Sequence, residues 1–483
     1  MIKNLFKQTS WYSLPYFIGA AIGFGTFPIW TRYFTVKEYG MMSLIDVTLM
    51  FIAPLARFGL PQSTVRFFSE CQSGNRSLTI PSFFTTLFLG ALALAGISTL
   101  LFFLTIVALG PDRVGGQQMY DLFKLVSVLL FLGAGPGVFN SALRAEQKAK
   151  FLAILTSTST MVSLPLAFIL VFGFLLGVKG IYIGSICIQT SSLIFYIWFL
   201  RRRKRLVLSS FSFPFLFRAM RYGLPLVPAQ LANMISNIGD RYILQIFLGS
   251  QVVGYYAVSY GLTLHLKSVL TLMMVAVTPM YLDIWQKHGR ERTEKFLSSV
   301  LDYYLMVAIP AVILFSFFGD DILILLASSK YEGAQGLLPY LTAPIVLHGA
   351  ITIYTAGLYI HKKTSLILYF TLGAGALNLL LNLIFVPLMG MVGAAITTLI
   401  SYIFLIVLAN IFSSQYITIR LNYLAIGKYL LASIMAVIFL RFISIDVFFG
   451  AIIKLLIGVI IYSAAILIID NRTRKRLRIA LKF

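Results

Sequence analysis

The sequence predicts an all-α integral membrane protein with fourteen transmembrane helices. Three observations support this prediction: the composition, the spacing of the apolar segments and a weak internal repeat. Of the 483 residues, 59% are hydrophobic and 11% are charged, and the mean hydropathy is +0.90. Soluble domains carry about 25% charged residues. The apolar surface of this chain therefore requires a surrounding bilayer.

The apolar segments recur along the whole chain. A membrane-spanning helix needs about 20 apolar residues. The first segment is too long for the apolar core of a signal peptide and lacks a small-residue cleavage site, so we expect it to remain as the first span. The loops are short, so no separate soluble domain is expected. The fourteen segments lie at 12–34, 40–58, 81–109, 121–143, 151–176, 181–200, 223–247, 253–280, 298–318, 336–360, 365–387, 393–412, 425–441 and 447–469.

Lysine and arginine determine the orientation. If the N-terminus is cytoplasmic, most of the 39 basic residues fall on the inside, including the run Arg201–Arg205. The positive-inside rule then places both termini in the cytoplasm. The net charge of +23 is thereby explained as anchoring at anionic headgroups rather than as nucleic-acid binding. Cys71 and Cys187 fall in an inside loop and in a span, and neither indicates a disulfide or a metal site.

An internal repeat divides the first twelve spans into two halves. Six spans per half is an even number, so the lobes are parallel and a substrate path is expected between them. The predicted parts are an N-terminal lobe at 1–205, a C-terminal lobe at 206–415, and two extra helices with a basic cytoplasmic tail at 416–483. When the chain is shifted by about 214 residues, three pairs of landmarks coincide: Tyr39-Gly40 with Val253-Gly254, Lys148 with Lys362, and the Gly177/Gly180 pair with Gly390/Gly393.

Common catalytic signatures are absent from the sequence. There is no Walker loop, HExxH, GxSxG or Cys/His cluster. A polysaccharide polymerase would need a large outer loop, and the longest outer loop predicted here has about 20 residues. We therefore predict that the protein is not an enzyme and that it requires no cofactor.

A polar stripe in span 7 is the most informative feature of the chain. Its residues share one arc of about 140° at helical spacing, while the other faces are apolar. Charged residues inside lipid are costly and face protein or water. The stripe therefore predicts one wall of a polar cavity. Its members are Gln230, Asn233, Asn237, Asp240, Arg241 and Gln245.

Further charged residues lie in or near the spans. Lys267 lies about halfway along span 8, two residues after His265, and either lines water or pairs with another helix. Arg32 and Asp46 lie near the outer ends of spans 1 and 2, where they could pair with each other.

Two arginines flank the inner end of span 2. Arg57 and Arg66 either extend to the headgroups or capture an anionic headgroup from the inner leaflet. Counted together, the cavity candidates hold more cations than acids, which favours an anionic substrate such as a phosphate or diphosphate. The acids Asp240 and Asp46 could serve as charge partners or bind a coupling H⁺ or Na⁺.

Four stretches carry a resemblance to a known family. Together they resemble the polysaccharide-transport branch of the MOP (multidrug/oligosaccharidyl-lipid/polysaccharide) superfamily, and the most similar type is the Wzx-like flippase of O-antigen or capsule repeat units. The resemblance covers nearly the whole chain. The stretches read GTFPIWTRYFTVKEYGMMSL, PLARFGLPQSTVRFF, DRYILQIFLGSQVVGYYAVSYGL and ALNLLLNLIFVPLMGMVGAAITTLIS.

The resemblance implies a function. Such a flippase moves undecaprenyl-diphosphate-linked oligosaccharide from the inner to the outer leaflet of a bacterial cytoplasmic membrane by alternating access, with a polymerase and a chain-length regulator as partners. Two alternatives belong to the same superfamily: a lipid II flippase and a cation-coupled drug exporter. Span 1 lacks the Asn/Arg-rich stretch of the former, since it has no charge before Arg32. Spans 13 and 14 argue against the latter, which usually has twelve spans.

Overall fold

A computed structural model describes residues 2–72, 78–275, 277–443, 450–470 and 474. Within these ranges the chain is helical and contains no β-strand. The helices, in chain order, are α1 (Ile2–Tyr33), α2 (Val36–Ala56), α3 (Leu60–Gln72), α4 (Ile80–Val114), α5 (Gln117–Val126), α6 (Val128–Leu132), α7 (Ala134–Ala145), α8 (Ala149–Phe168), α9 (Val178–Arg202), α10 (Phe213–Gly223), α11 (Val227–Ile238), α12 (Asp240–Leu248), α13 (Ser250–Val275), α14 (Val277–Ala327), α15 (Leu338–Tyr354), α16 (Ala356–Ile360), α17 (Thr364–Ser414), α18 (Tyr423–Arg441) and α19 (Gly450–Ile469).

Ten helical segments of the described ranges are long and apolar enough to cross a membrane. The prediction of a multi-pass, all-α membrane protein is therefore confirmed. Two of these segments are 51 residues long and contain a glycine with non-helical backbone angles, Gly289 in α14 and Gly390 in α17. Both glycines have positive φ, a conformation that costs glycine little. Each long helix is therefore two helices joined at a glycine.

Two predicted spans contain local irregularities in their helices. Span 4 comprises α5, α6 and α7, and the residues between them, Ser127 and Gly133, keep right-handed helical backbone angles. Span 7 begins with a 3-10 turn, Leu224–Leu226, and continues through Gly239, which is also right-handed helical. Pro225 lies inside that turn, where its missing amide hydrogen leaves a backbone acceptor without its usual donor.

The chain forms two compact units. The first comprises Met1–Trp30 and Glu38–Met234, and the second comprises Thr31–Lys37 and Ile235–Phe483. The short segment between α1 and α2 is held within the second unit, because Lys330 Nζ donates to the carbonyl oxygens of Arg32 and Phe34. The predicted division into 1–205, 206–415 and 416–483 remains a prediction.

The first unit has an aromatic core where α7 packs on α9. Phe139 of α7 stacks on Tyr196 of α9 with ring centroids 4.3 Å apart. Thr85 and Thr86 of α4 fix the segment that follows α9: Thr85 Oγ1 accepts from the amide of Val207 at 2.9 Å, and Thr86 Oγ1 accepts from Ser212 at 3.0 Å. These contacts hold the connector that leads to α10 against the first unit.

A close crossing of α3 and α10 completes this unit. Gly59, with φ +69°, lies directly against Gly223, where the two backbones touch. Ser63 Oγ donates to the carbonyl of Ala219 at 2.6 Å. Side chains larger than hydrogen at the two glycines would separate the helices.

The last two helices form an appendix, α18–α19, that packs on α14 in the second unit. Tyr429 OH donates to Asp302 Oδ1 at 2.9 Å, and Tyr462 OH donates to the carbonyl of Met306 at 2.7 Å. Lys428 Nζ and Asp470 Oδ1 form an ion pair at 2.9 Å within the appendix. Because each polar group is bound, the appendix is fixed to the unit by specific contacts in addition to apolar packing.

Candidate functional site

Asp240 is the most buried charged residue of the polar stripe. It begins α12, with 3% of its side chain exposed, and it accepts a hydrogen bond from the hydroxyl of the fully buried Tyr256 on α13. The two helices are joined by a turn at Gly249, with φ +83°, which places Tyr256 beside Asp240. Among the described residues, Asp240 Oδ1 has no hydrogen-bond partner. One carboxylate oxygen is thus available inside the unit.

Arg241 makes a different contact from that of its neighbour Asp240. Its guanidinium lies over the ring of Tyr260, 5.0 Å from the centroid, and its buried Nε has no acceptor among the described residues. Consecutive helical residues are about 100° apart, so the two charges face different neighbours. Within the described part of the chain, Asp240 and Arg241 form no direct ion pair. The arginine therefore retains hydrogen-bonding capacity for an anion.

Lys267 lines a cavity inside the second unit. The cavity is bounded by α13, α15 and the second half of α17, and His348 and Tyr402 face each other in its wall with ring centroids 5.7 Å apart. Tyr260 also lines the cavity, and the Arg241 guanidinium lies over its ring. The cavity thus brings together a lysine, a histidine and two tyrosines, and Arg241 lies next to it.

The rest of the stripe is placed as follows. Gln245 Oε1 accepts from Ser250 Oγ at 3.0 Å across the Gly249 turn, and Gln230 is half-buried on α11. The side chains of Asn233 and Asn237 lie outside the described part of the structure. His265 is half-buried on α13, two residues before Lys267. The cavity-lining role of these residues remains a prediction.

Two asparagines are buried on α17, which packs on α12. Asn382 Nδ2 donates to the carbonyl and to Oδ1 of Asn378, at 2.8 and 3.1 Å, and its own Oδ1 lacks a partner among the described residues. Asn378 Nδ2 lies 3.5 Å from Thr398 Oγ1 on the second half of the same helix. The helix containing Asp240 packs here, because a Cβ at Gly239 would lie 3.3 Å from Leu379 Cδ2.

In the first unit, Arg57 is folded into the protein. It follows the end of α2, and its guanidinium lies against the glycine surface at the start of α7: a Cβ at Gly133 would lie 2.8 Å from Arg57 Nη2, and one at Gly137 would lie 3.4 Å from Nη1. Its Nε is buried without an acceptor among the described residues. This inward position differs from the extended one that headgroup anchoring requires.

The other predicted charges make local contacts. Arg66 is half-exposed on α3 and pairs with Glu70 at 3.4 Å, one turn away. Asp46 Oδ1 accepts from Tyr182 OH at 3.2 Å in the first unit. Arg32 Nη2 donates to the carbonyl of Leu325 at 2.7 Å in the second unit. A substrate role for these three residues remains a prediction.

Sequence reasoning missed the tyrosines and His348 of the site. Tyr256, Tyr260 and Lys267 follow one another at spacings of four and seven, which places them on one face of α13. That periodicity was available as a signal. The contribution of His348 and Tyr402 depends on which helices pack together, and no local pattern supplies this information.

Comparison with known proteins assigns the family. A model of the family described as "Polysaccharide biosynthesis protein" matches residues 5–285, more than half of the chain. The chain belongs to the polysaccharide biosynthesis protein family. An uncharacterized membrane protein of Methanocaldococcus jannaschii is 23% identical over 426 residues, covering 82% of this chain and 81% of that protein. The probable low-salt glycan biosynthesis flippase Agl15 of Haloferax volcanii is 25% identical over 202 residues, covering 40% of this chain and 43% of that protein.

Solved structures of other proteins share the fold of this chain. The lipid II flippase MurJ, in an inward closed conformation, superposes with a TM-score of 0.74 at 17% identity, covering 95% of this chain and 98% of that chain. An inward-facing multidrug resistance MATE family transporter of the MOP superfamily gives a TM-score of 0.67 at 18% identity, covering 84% and 94%. These structures show that this chain shares the fold of those transporters, and together with the family match they confirm the resemblance that the sequence indicated.

Proposed function

We propose that the protein is a flippase that moves a lipid-linked oligosaccharide across its membrane by alternating access. The observation that carries this proposal is the cationic cavity of the second unit, lined by Lys267 and adjoined by Arg241, in a chain of the polysaccharide biosynthesis family. A cationic cavity favours a phosphate-bearing substrate. A carrier lipid joined to sugar through a diphosphate supplies that chemistry.

The finer substrate proposal is an undecaprenyl-diphosphate-linked repeat unit of the O-antigen or capsule type in a bacterial cytoplasmic membrane. Both curated relatives named above come from archaea. The carrier lipid is therefore the first component to establish by experiment. A polysaccharide polymerase and a chain-length regulator would act on the same glycan after translocation and are the proposed partners.

We propose fourteen spans with both termini in the cytoplasm. Ten helical segments of the described ranges that are long and apolar enough to cross a membrane support this count. The two parts of α17 on either side of Gly390 would add one span, and α1, the pair α11–α12, and α13 would add three more. The concentration of lysine and arginine in the N-terminal tail and in alternate loops supports the orientation.

A lipid II flippase is the second candidate, and the extensive match to the MurJ fold favours it. The absence of any charge in span 1 before Arg32 favours an oligosaccharide flippase instead. The two candidates differ in substrate, so competition between lipid II and a lipid-linked repeat unit for the purified protein separates them.

Coupling to an ion is proposed at Asp240. Its unpartnered Oδ1, together with the free Oδ1 of Asn382 on the helix that packs beside it, provides buried oxygen ligands for Na⁺ or a carboxylate for H⁺. The rest of the protein requires no cofactor under this proposal.

The test of the flippase proposal uses Arg241→Ala and Lys267→Ala. Protein reconstituted in liposomes would be given a fluorescent lipid-diphosphate oligosaccharide, and translocation would be followed by quenching from outside. We expect each variant to lower the rate by about tenfold or more, since a charge-assisted hydrogen bond to phosphate contributes about 1.5–3 kcal/mol.

Matched controls are Arg441→Ala and Lys454→Ala. Arg441 also stacks on an aromatic ring, Phe317, at 5.5 Å, and Lys454 also lies in a helix of the second unit, α19. Both are expected to translocate at the wild-type rate. Wild-type rates for Arg241→Ala and Lys267→Ala would contradict the role of this cavity, and the absence of translocation by the wild-type protein would contradict the proposed function.

A further inference from the structure

A second cavity lies within the first unit, away from the residues discussed so far. It is bounded by α1, α7 and α8, and its lining combines aromatic rings, an arginine and a hydroxyl. The residues around it are Trp11, Pro15, Tyr16, Arg144, Leu152, Ala153 and Thr156. Leu152 and Ala153 are buried and form its apolar floor.

The cavity carries positive charge that the described residues do not neutralise. Glu146 is the acidic residue closest to Arg144 in sequence, and it is already bound by Arg205 and Lys148. Within the described chain, Arg144 forms no ion pair. Lys150 adds a second cation, since its Nζ lies over the ring of Trp11 at 5.7 Å from the centroid. The site therefore favours an anionic group.

The same cavity has features suited to a sugar. The rings of Trp11 and Tyr16 line the cavity and offer flat apolar surfaces on which the C–H face of a pyranose can stack. Pro15 has no amide hydrogen, so the carbonyl of Trp11, four residues earlier, has no helical donor. That carbonyl is an acceptor for a sugar hydroxyl, and the Thr156 hydroxyl offers further lone pairs.

We propose that this cavity is a loading site for the first sugar and the adjoining diphosphate of the lipid-linked glycan. Trp11 stacks on the sugar ring and Arg144 binds the diphosphate. The assignment rests on the proposed flippase function and adds a glycan-recognition site in the first unit. The site lies at the ends of the helices that the positive-inside rule places in the cytoplasm, where a flippase takes up its substrate.

The test measures equilibrium binding of two radiolabelled lipids to the purified full-length protein in detergent: undecaprenyl diphosphate and undecaprenyl diphosphate-N-acetylglucosamine. Arg144→Gln is expected to weaken binding of both lipids by about tenfold, since it removes a charge-assisted contact to the diphosphate. Trp11→Ala is expected to weaken binding of the glycosylated lipid by about fivefold and binding of the bare lipid by less than about twofold. Trp11→Phe, which retains a ring, should keep most of the preference for the glycosylated lipid.

Matched controls come from the end of α9. The Arg202 guanidinium lies over the ring of Trp198, 5.4 Å from its centroid, as Lys150 lies over the ring of Trp11. Arg201 is an exposed cation outside the cavity. Trp198→Ala and Arg201→Gln should bind both lipids as the wild type does. The assignment is overturned if Trp11→Ala leaves the preference between the two lipids unchanged, if Arg144→Gln binds both like the wild type, or if Trp198→Ala loses as much as Trp11→Ala.

Translocation by the wild-type protein separates this inference from the proposed function. If the wild type translocates the glycosylated lipid while Trp11→Ala and Arg144→Gln bind it normally, only the loading site is refuted. If the wild type does not translocate it, the flippase function itself fails. Size-exclusion chromatography of the Trp11→Ala and Arg144→Gln proteins checks that both variants remain folded.

Discussion

Asp240 and Arg241 are neighbours in sequence with separate partners. Asp240 binds the Tyr256 hydroxyl, whereas Arg241 lies on the ring of Tyr260. The sequence predicted that both would face protein or water, because a charge in an apolar helix is costly in lipid, and Asp240 is buried within the unit. The spacing of Tyr256 and Tyr260 places both on one face of α13, but the packing of that face on α12 depends on the turn at Gly249.

We predict that Asp240→Asn abolishes the stimulation of translocation by an imposed Na⁺ or H⁺ gradient. The amide keeps the shape and can still accept from Tyr256, but it removes the negative charge that a cation requires. The measurement is the initial translocation rate in liposomes with and without each gradient. We expect the gradient-dependent part of the rate to fall to the background of protein-free vesicles.

Asp302→Asn is the matched control for this change. Asp302 also accepts from a tyrosine hydroxyl, that of Tyr429, in the same unit. It should retain its response to the gradient. A persistent response in Asp240→Asn would remove Asp240 from the coupling mechanism.

At the scale of elements, glycines determine where helices end and how closely they cross. Helix α9 begins at Val178, close to the predicted start of span 6, and the non-helical Gly390 lies between the predicted spans 11 and 12. The local irregularities of span 4 at Ser127 and Gly133 were not predicted. Gly133 lies against the Arg57 guanidinium, a tertiary contact that hydropathy does not report.

The crossing of α3 and α10 gives a prediction for stability. Gly223→Ala places a Cβ 2.6 Å from Ser63 Oγ and against the backbone of Gly59, so the helices must move apart. We expect a loss of about 1–3 kcal/mol in the free energy of unfolding. Thermal unfolding of the purified protein in detergent would report it as a lower midpoint.

Gly427→Ala provides the comparison for that measurement. Gly427 lies inside α18, and a Cβ there meets no atom within 4 Å. Alanine favours the helix over glycine by about 1 kcal/mol, so this variant should be neutral or slightly more stable. An unchanged midpoint for Gly223→Ala would show that the crossing tolerates a larger separation.

For the whole molecule, composition and charge asymmetry predicted more than any single motif. The excess of apolar residues indicated a multi-pass helical protein, and the family match confirmed the branch that the quoted stretches resemble. The division into compact units was harder to predict from the sequence. Residues Thr31–Lys37 belong to the second unit through contacts such as that of Arg32 with Leu325, almost three hundred residues later.

The topology can be tested with single cysteines. In a protein with Cys71→Ala and Cys187→Ser, we predict that Asp112→Cys reacts with a membrane-impermeant maleimide in intact cells. Arg201→Cys should react only after permeabilisation. Both positions are exposed at opposite ends of the predicted spans, and the measurement is the labelled fraction on a gel.

The native cysteines are replaced because their own reaction with the maleimide would be mistaken for labelling of the introduced cysteines. Burial raises the pKa of the Cys71 thiol, so little reactive thiolate is present at neutral pH and its labelling would be slow and incomplete. Cys187 is exposed in a predicted span. Labelling of Arg201→Cys in intact cells would reverse the proposed orientation.

The appendix α18–α19 has a consequence for biosynthesis. The ribosome incorporates Asp302 127 residues before Tyr429, whose hydroxyl donates a hydrogen bond to the Asp302 carboxylate. At a translation rate of 5–20 residues per second, that delay is on the order of ten seconds. During this interval a carboxylate is already in the bilayer without that tyrosine, and Lys428 similarly precedes Asp470. A chain that stops in between would therefore lack the hydrogen bond that joins the appendix to α14 and the ion pair within it.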